Sequence, residues 1–146
     1  MKKNLQELAD LLNKALTTEY QARVQYLTDL ELIRGTDSIP LREKLAELAD
    51  EEAGHASKLR SLLADYLMVT PVADMAKVTI ASNIPAILTT NLKAEHDAID
   101  LYHKAYIKAK ECQPDLPYSY EQFEHTIRHI IMDEEEHIIE LQQLQK

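Results

Sequence analysis

Little in this sequence bends, crosslinks or spans. It has 2 glycines and 5 prolines, while Leu, Ala, Glu and Lys are abundant, a balance that favours helix. A single cysteine, Cys112, excludes an intrachain disulfide and suits a reducing compartment. No apolar run approaches the ~20 residues that a membrane span needs. The N-terminal segment is polar and lacks the apolar core of a signal peptide. Positive charge is scarce: 16 Lys and Arg stand against 25 Asp and Glu, a net charge of −9. That argues against direct binding to nucleic acid or anionic lipid and fits a protein that attracts cations. The expectation is a cytoplasmic chain with no membrane and no nucleic-acid partner. What is present is 146 residues, 45% of them apolar, enough for one domain over residues 1–146 with a proper core.

The stretch that organises the chain is Glu134-Glu135-Glu136-His137. Glu134 and His137 point the same way on a helix, and Phe123, Ile127, Ile130, Leu141 and Leu144 fall on the same stripe. A carboxylate and an imidazole therefore stand where a core should be. A lone buried carboxylate costs several kcal/mol unless it is paired or binds metal. The device recurs once, as Glu52 and His55 within the series Leu41, Leu45, Leu48, Glu52, His55, Leu59, Leu62, Tyr66. Two further stripes each carry one carboxylate: Glu19 between Ala15 and Ala22, and Glu95 between Asn91 and Ala98. One Glu from each of two helices and Glu-x-x-His from each of the other two is the pattern of a di-iron carboxylate four-helix bundle. The rival is a buried ion-pair network. It would need Arg or Lys at the same height on the stripes, and the stripes have none.

The spacing predicts helix A from about Lys3 to Arg34, closed by Gly35. Helix B starts near Ile39, with Ser38 as N-cap and Pro40 in the first turn, and continues to about Met68, where Thr70-Pro71 stops it. Helix C follows Asn83 and runs to about Cys112. Ser119 and Gln122 are placed to form a capping box for helix D, which runs almost to the end. The offsets of Glu19, Glu52, Glu95 and Glu134 from the two short turns put all four at one height. Val69 to Asn83 can span ~50 Å, more than the ~45 Å of a 30-residue helix, so it serves as a crossover that leaves B and C parallel. Each half reads Glu, then Glu-x-x-His, as if a helical hairpin had been duplicated.

On these residues the chain resembles bacterioferritin, within the ferritin-like di-iron carboxylate superfamily. The resemblance is carried by Glu19, Tyr26, Asp50-Glu51-Glu52-Ala53-Gly54-His55, Pro71 with the crossover, Glu95 and Asp133-Glu134-Glu135-Glu136-His137, and extends to Lys146. It implies an all-α, ferritin-like four-helix bundle of two antiparallel hairpins joined by a long crossover. It also implies two iron ions per subunit: Glu52 and Glu134 bridge them, Glu19 with His55 holds one, and Glu95 with His137 holds the other. The implied activity is a ferroxidase that takes Fe²⁺ with O₂ or H₂O₂, for iron storage or detoxification. The implied assembly is a homo-oligomer of dimer units, up to the 24-subunit cage of that family.

Two departures are visible. Ala53 stands where a haem-binding bacterioferritin has methionine, so no haem is expected through helix B. The chain ends directly after helix D, without the family's short fifth helix. The chain differs from rubrerythrins too: Ala98 occupies the position at which they carry an additional carboxylate, and no rubredoxin-like cysteine cluster exists. Two alternatives stay open: another di-iron enzyme, a peroxidase or oxygenase, and a non-catalytic metal-binding assembly module.

Other residues admit two readings each. Tyr26, two turns beyond Glu19, either hydrogen-bonds a ligand and donates an electron, or is a core tyrosine with a satisfied hydroxyl. Tyr102 has the same relation to Glu95 and reads as core. Asp133 and Glu51 either support a histidine of a neighbouring helix or are simply solvated. His125, His129 and Asp133 follow one another at four-residue spacing, and Glu43, Glu47 and Glu51 form a similar acidic file. Val24, Leu27, Leu63 and Ile99 read as outward apolar positions that association would cover.

Overall fold

The computed structural model describes residues 1–145; Lys146 and the side chain of Asp37 lie outside what is described. Four long helices account for most of the chain: α1 (Lys3–Leu32), α2 (Ile39–Ser61), α3 (Ile84–Glu111) and α4 (Tyr120–Leu144). Helix α1 packs on α2 and α3, and α4 packs on α3 and α2. The all-helical four-helix bundle expected from the stripes is the fold observed.

Side-chain pairs fix the directions. Tyr102 reaches Glu19 and Tyr26 reaches Glu95, so α1 and α3 are antiparallel. His55 pairs with Asp133 and His137 with Glu51, so α2 and α4 are antiparallel too. With a short turn joining α1 to α2, α2 and α3 run parallel, as the crossover requires. That crossover lies along α1: the Val72 amide donates to Asn13 Oδ1 at 2.9 Å and the Thr79 amide to Gln25 Oε1 at 2.8 Å. Gln25 returns a bond from Nε2 to the Thr79 carbonyl at 2.7 Å and another to Asp29.

Several local expectations need correction. Ser38 does not cap α2; a short 3₁₀ turn over Thr36–Ser38 precedes the helix, and the Ser38 hydroxyl donates back to the Gly35 carbonyl. Ser119 makes no side-chain cap either. Its ψ of 0° is not the extended conformation that aims a hydroxyl at the first turn, and the Gln122 amide donates to the Ser119 carbonyl instead. By contrast, Asn83 does cap α3, accepting from the Ala86 amide at 2.9 Å. Third, α2 leaves regular geometry at Ser61 and ends in a π turn over Leu62–Tyr66, closed by Met68 at φ 58°. The wider turn shifts the helix phase. Leu63, expected outside, is fully buried, while Tyr66, expected on the inner stripe, is 42% exposed. Helix α1 stops two residues early, at Leu32.

The apolar core has two parts. One gathers Leu8, Leu12, Leu59, Phe123 and Ile127, the other Ile33, Leu45, Leu48, Leu88 and Leu141. Between them, at mid-height, lies a layer that is buried and polar.

Candidate metal centre

Each helix contributes to that layer from the middle of its length, where flanking apolar residues fix its rotation. Glu19, Glu52, His55, Glu95, Glu134 and His137 are each at most 3% exposed. Their donor atoms form two overlapping sets. Glu19, Glu52, His55 and Glu134 offer one atom each within 4.8 Å of one another, and so do Glu52, Glu95, Glu134 and His137. Glu52 and Glu134 belong to both. The six residues singled out from the sequence are thus brought together, and the two that both sets share are those the resemblance gave as bridges.

The inner atoms lack partners. Glu19 Oε2, Glu52 Oε1, Glu95 Oε2, both oxygens of Glu134 and the Nδ1 atoms of His55 and His137 are buried without a hydrogen bond. His55 Nδ1 lies 2.8 Å from Glu134 Oε1, and His137 Nδ1 3.0 Å from Glu52 Oε1, close but not aligned for hydrogen bonding. The imidazoles face each other with centroids 5.9 Å apart. Among the described residues no Lys or Arg pairs with any of the four carboxylates, so the ion-pair alternative has no cation. A buried polar atom left unsatisfied costs about 1–3 kcal/mol. Several at one spot, all carboxylate oxygen or imidazole nitrogen, is the donor chemistry that Fe, Mn or Zn divalent ions take.

The outer atoms do have partners. His55 Nε2 lies 2.9 Å from Asp133 Oδ2, and His137 Nε2 contacts Glu51 Oε2. A carboxylate accepts, so each Nε2 donates to it and each Nδ1 faces inward, a metal donor once it carries no proton. Of the two readings open for Asp133 and Glu51, support of a histidine on the neighbouring helix is the one observed. Tyr26 donates to Glu95 Oε1 at 2.5 Å, and Tyr102 donates to Glu19 Oε1 at 2.5 Å. For Tyr102 the sequence favours the core reading, and the hydrogen bond to Glu19 goes beyond it. Tyr102 is the counterpart of Tyr26 in the other half, and the near-duplication of the two halves was the signal that could have found it.

Crowding of charge marks the layer. Burial, then the neighbouring carboxylates, hold Glu52 and Glu134 well above the usual carboxylate range. Burial pushes Glu95 the same way, but contacts with Glu134, His137 and Tyr26 outweigh it and its carboxyl is lowered. Burial works against a charged His137, yet Glu95, Glu134 and Glu51 raise it to about 9. His55 is raised in the same manner, burial being outweighed by Glu19 and Asp133.

A cavity of about 420 Å³ opens between α1 and α3 and reaches Glu19, Glu52, Glu95 and Glu134. Ala22, Ala94, Ala98 and Leu101 line it, and exposed Lys14 and Lys104 stand at its outer part. Away from the layer, His96 and His103 are exposed, and Cys112 is buried with its thiol pushed up by burial.

A family model described as rubrerythrin matches residues 10–145. No curated protein matches the chain. Among solved structures, a ferritin-like di-iron carboxylate protein from Bacillus anthracis superposes with TM-score 0.90 at 24% identity over 100% of both chains. A bacterioferritin from Rhodobacter capsulatus, described with a metal-free dinuclear site and haem iron, gives TM-score 0.82 at 26% identity, over 94% of this chain and 82% of its own. A bacterioferritin-related dodecameric thioferritin from Bacteroides fragilis gives 0.79 at 24% identity, over 95% and 84%.

Proposed function

We propose, for a chain that belongs to the rubrerythrin family, that the buried layer is a di-iron centre which oxidises Fe²⁺ to Fe³⁺ in iron storage or detoxification. The observation that carries this reading is the pair of donor sets sharing Glu52 and Glu134. Glu19 and His55 would hold one ion and Glu95 and His137 the other, with Glu52 and Glu134 available to both. Four carboxylates offset the four positive charges of two Fe²⁺, which lets the loaded layer stay buried. Iron bound there supplies one-electron chemistry and Lewis acidity.

The protein's own groups do the rest. Asp133 and Glu51 keep the imidazole tautomers that leave Nδ1 free. His137, Glu52 and Glu134 shed protons as metal enters. The hydrogen bond from Tyr26 to Glu95 supports a role in which Tyr26 would pass a proton to that ligand and an electron through it to bound iron. The cavity between α1 and α3 reaches the layer and would admit the oxidant. Two Fe²⁺ supply two electrons, enough to take O₂ and two protons to H₂O₂, or H₂O₂ and two protons to two waters.

The cavity also favours a second reading, a di-iron peroxidase or oxygenase, because its volume falls in the range that small-molecule sites occupy. We further propose that the chain associates with copies of itself, as a dimer or a larger closed assembly. Leu27, Ile107 and Ile139 are exposed apolar side chains on its helices. Oxygen uptake on Fe²⁺ addition, followed by measurement of the iron retained, separates the readings. Uptake with ferric iron kept in the protein is expected. Uptake without retained iron points to the second reading, and no uptake contradicts both.

A further inference from the structure

A row of side chains along α4 leads from solvent to the back of the buried layer. His125 and His129 are one turn apart on one face, and their ring centroids lie 4.1 Å apart. We propose that these two imidazoles form a surface site for a divalent transition-metal ion, one turn before Asp133, that loads the buried centre.

The spacing is that of a chelate. Two histidines at i and i+4 on a helix can offer nitrogens to one ion, as in helical zinc motifs. His125 is exposed and His129 partly so, and among the described residues neither ring makes a hydrogen bond or an ion pair. The nearest cation in sequence, Arg128, is occupied: its Nε donates to Glu124 at 2.8 Å, and Glu124 also accepts from the Tyr106 hydroxyl. The guanidinium is therefore held by its own acid and not by the imidazoles.

The row continues one turn on to Asp133, whose side chain is 42% exposed. Its Oδ2 holds His55 Nε2 at 2.9 Å, so the last member of the row touches a residue of the buried layer. Four residues along a helix advance ~6 Å, so an ion held by His125 and His129 lies within about one turn of Asp133. On α2 the corresponding row is Glu43, Glu47 and Glu51, and there Lys44 engages Glu47 at 3.1 Å. Imidazole, the better donor for borderline divalent ions, occurs only in the α4 row. The loading role rests on the iron reading above; the binding itself does not.

The test compares the wild-type protein with His125→Gln/His129→Gln, neither of which belongs to the buried layer. Anaerobic equilibrium dialysis with Co²⁺ should show one ion fewer per chain in the variant, and Cu²⁺ added to the wild type should show two-nitrogen coupling by electron paramagnetic resonance that the variant loses. Equal cobalt stoichiometry overturns the site. Mixing with Fe²⁺ then tests loading: the variant should oxidise iron several-fold more slowly at low Fe²⁺ and at the wild-type rate when Fe²⁺ is saturating. An unchanged rate at low Fe²⁺ overturns the loading role. If no iron is oxidised by either protein, the iron reading fails while the cobalt difference still reports the site.

Discussion

Glu134 has two buried oxygens, neither with a hydrogen-bond donor, and three other carboxylates around it. Without metal such a residue strains the fold, and removing one member of an uncompensated buried charge cluster relieves it. Glu134→Gln should therefore leave the metal-free protein at least as stable as wild type to urea. The same crowding sets a pH dependence. Glu52 and Glu134 keep protons in the folded state at pH values where the unfolded chain has lost them, so their contribution falls as pH rises above the ordinary carboxylate range. His137 acts in the same direction: its contribution is full below 6.5 and is lost as pH rises through about 9. The metal-free melting temperature should fall between pH 6.5 and about 9, and a saturating divalent metal, which needs the deprotonated ligands, should reverse the slope. A metal-free melting temperature that climbs across this window would count against the account. At this scale the sequence carried much: all six donors were legible, because each interrupts a strict apolar stripe. Tyr102 was less so: its hydroxyl serves Glu19 on another helix, and only the near-duplication of the two halves, which pairs it with Tyr26, points to that.

At the scale of elements, periodicity located four helices and missed how some of them begin and end. A stripe is repeated many times along a helix, whereas a cap rests on one dihedral. Ser38 and Ser119 have the right side chains but not the extended backbone that capping needs. The π turn at Leu62–Tyr66 left no mark in the stripe, which predicts Tyr66 inside and Leu63 outside. The crossover was legible as a length but not as a path. Its course is set by Gln25, which is 1% exposed and clasps both backbone groups of Thr79. Gln25→Ala should cost about 1–3 kcal/mol by leaving those groups unpaired. Amide exchange at Thr79 should quicken, with α2 and α4 unaffected. Unchanged exchange at Thr79 would show that the clasp does not hold the crossover.

For the whole molecule, the fold places an acidic layer inside an acidic chain of net charge −9, a combination that draws cations in and offers a binding layer between two apolar cores. Self-association should appear in sedimentation as a mass above that of one chain at all but the lowest concentrations, and a lone chain throughout would contradict it. The central claim is that Glu52 and Glu134 each serve two metal ions. Losing either should remove a ligand from both ions, while the helices, held by the flanking cores, remain. The most direct measurement is stopped-flow absorbance after Fe²⁺ is mixed with aerobic protein, comparing wild type with Glu52→Ala and Glu134→Ala, each shown to be folded by circular dichroism. Rapid oxidation in the wild type and its loss in both variants, by a factor of about 10²–10³, on the order of the loss of one essential stabilising group, is the expected result. Wild-type rates in both variants, with two irons still bound per chain, would contradict it.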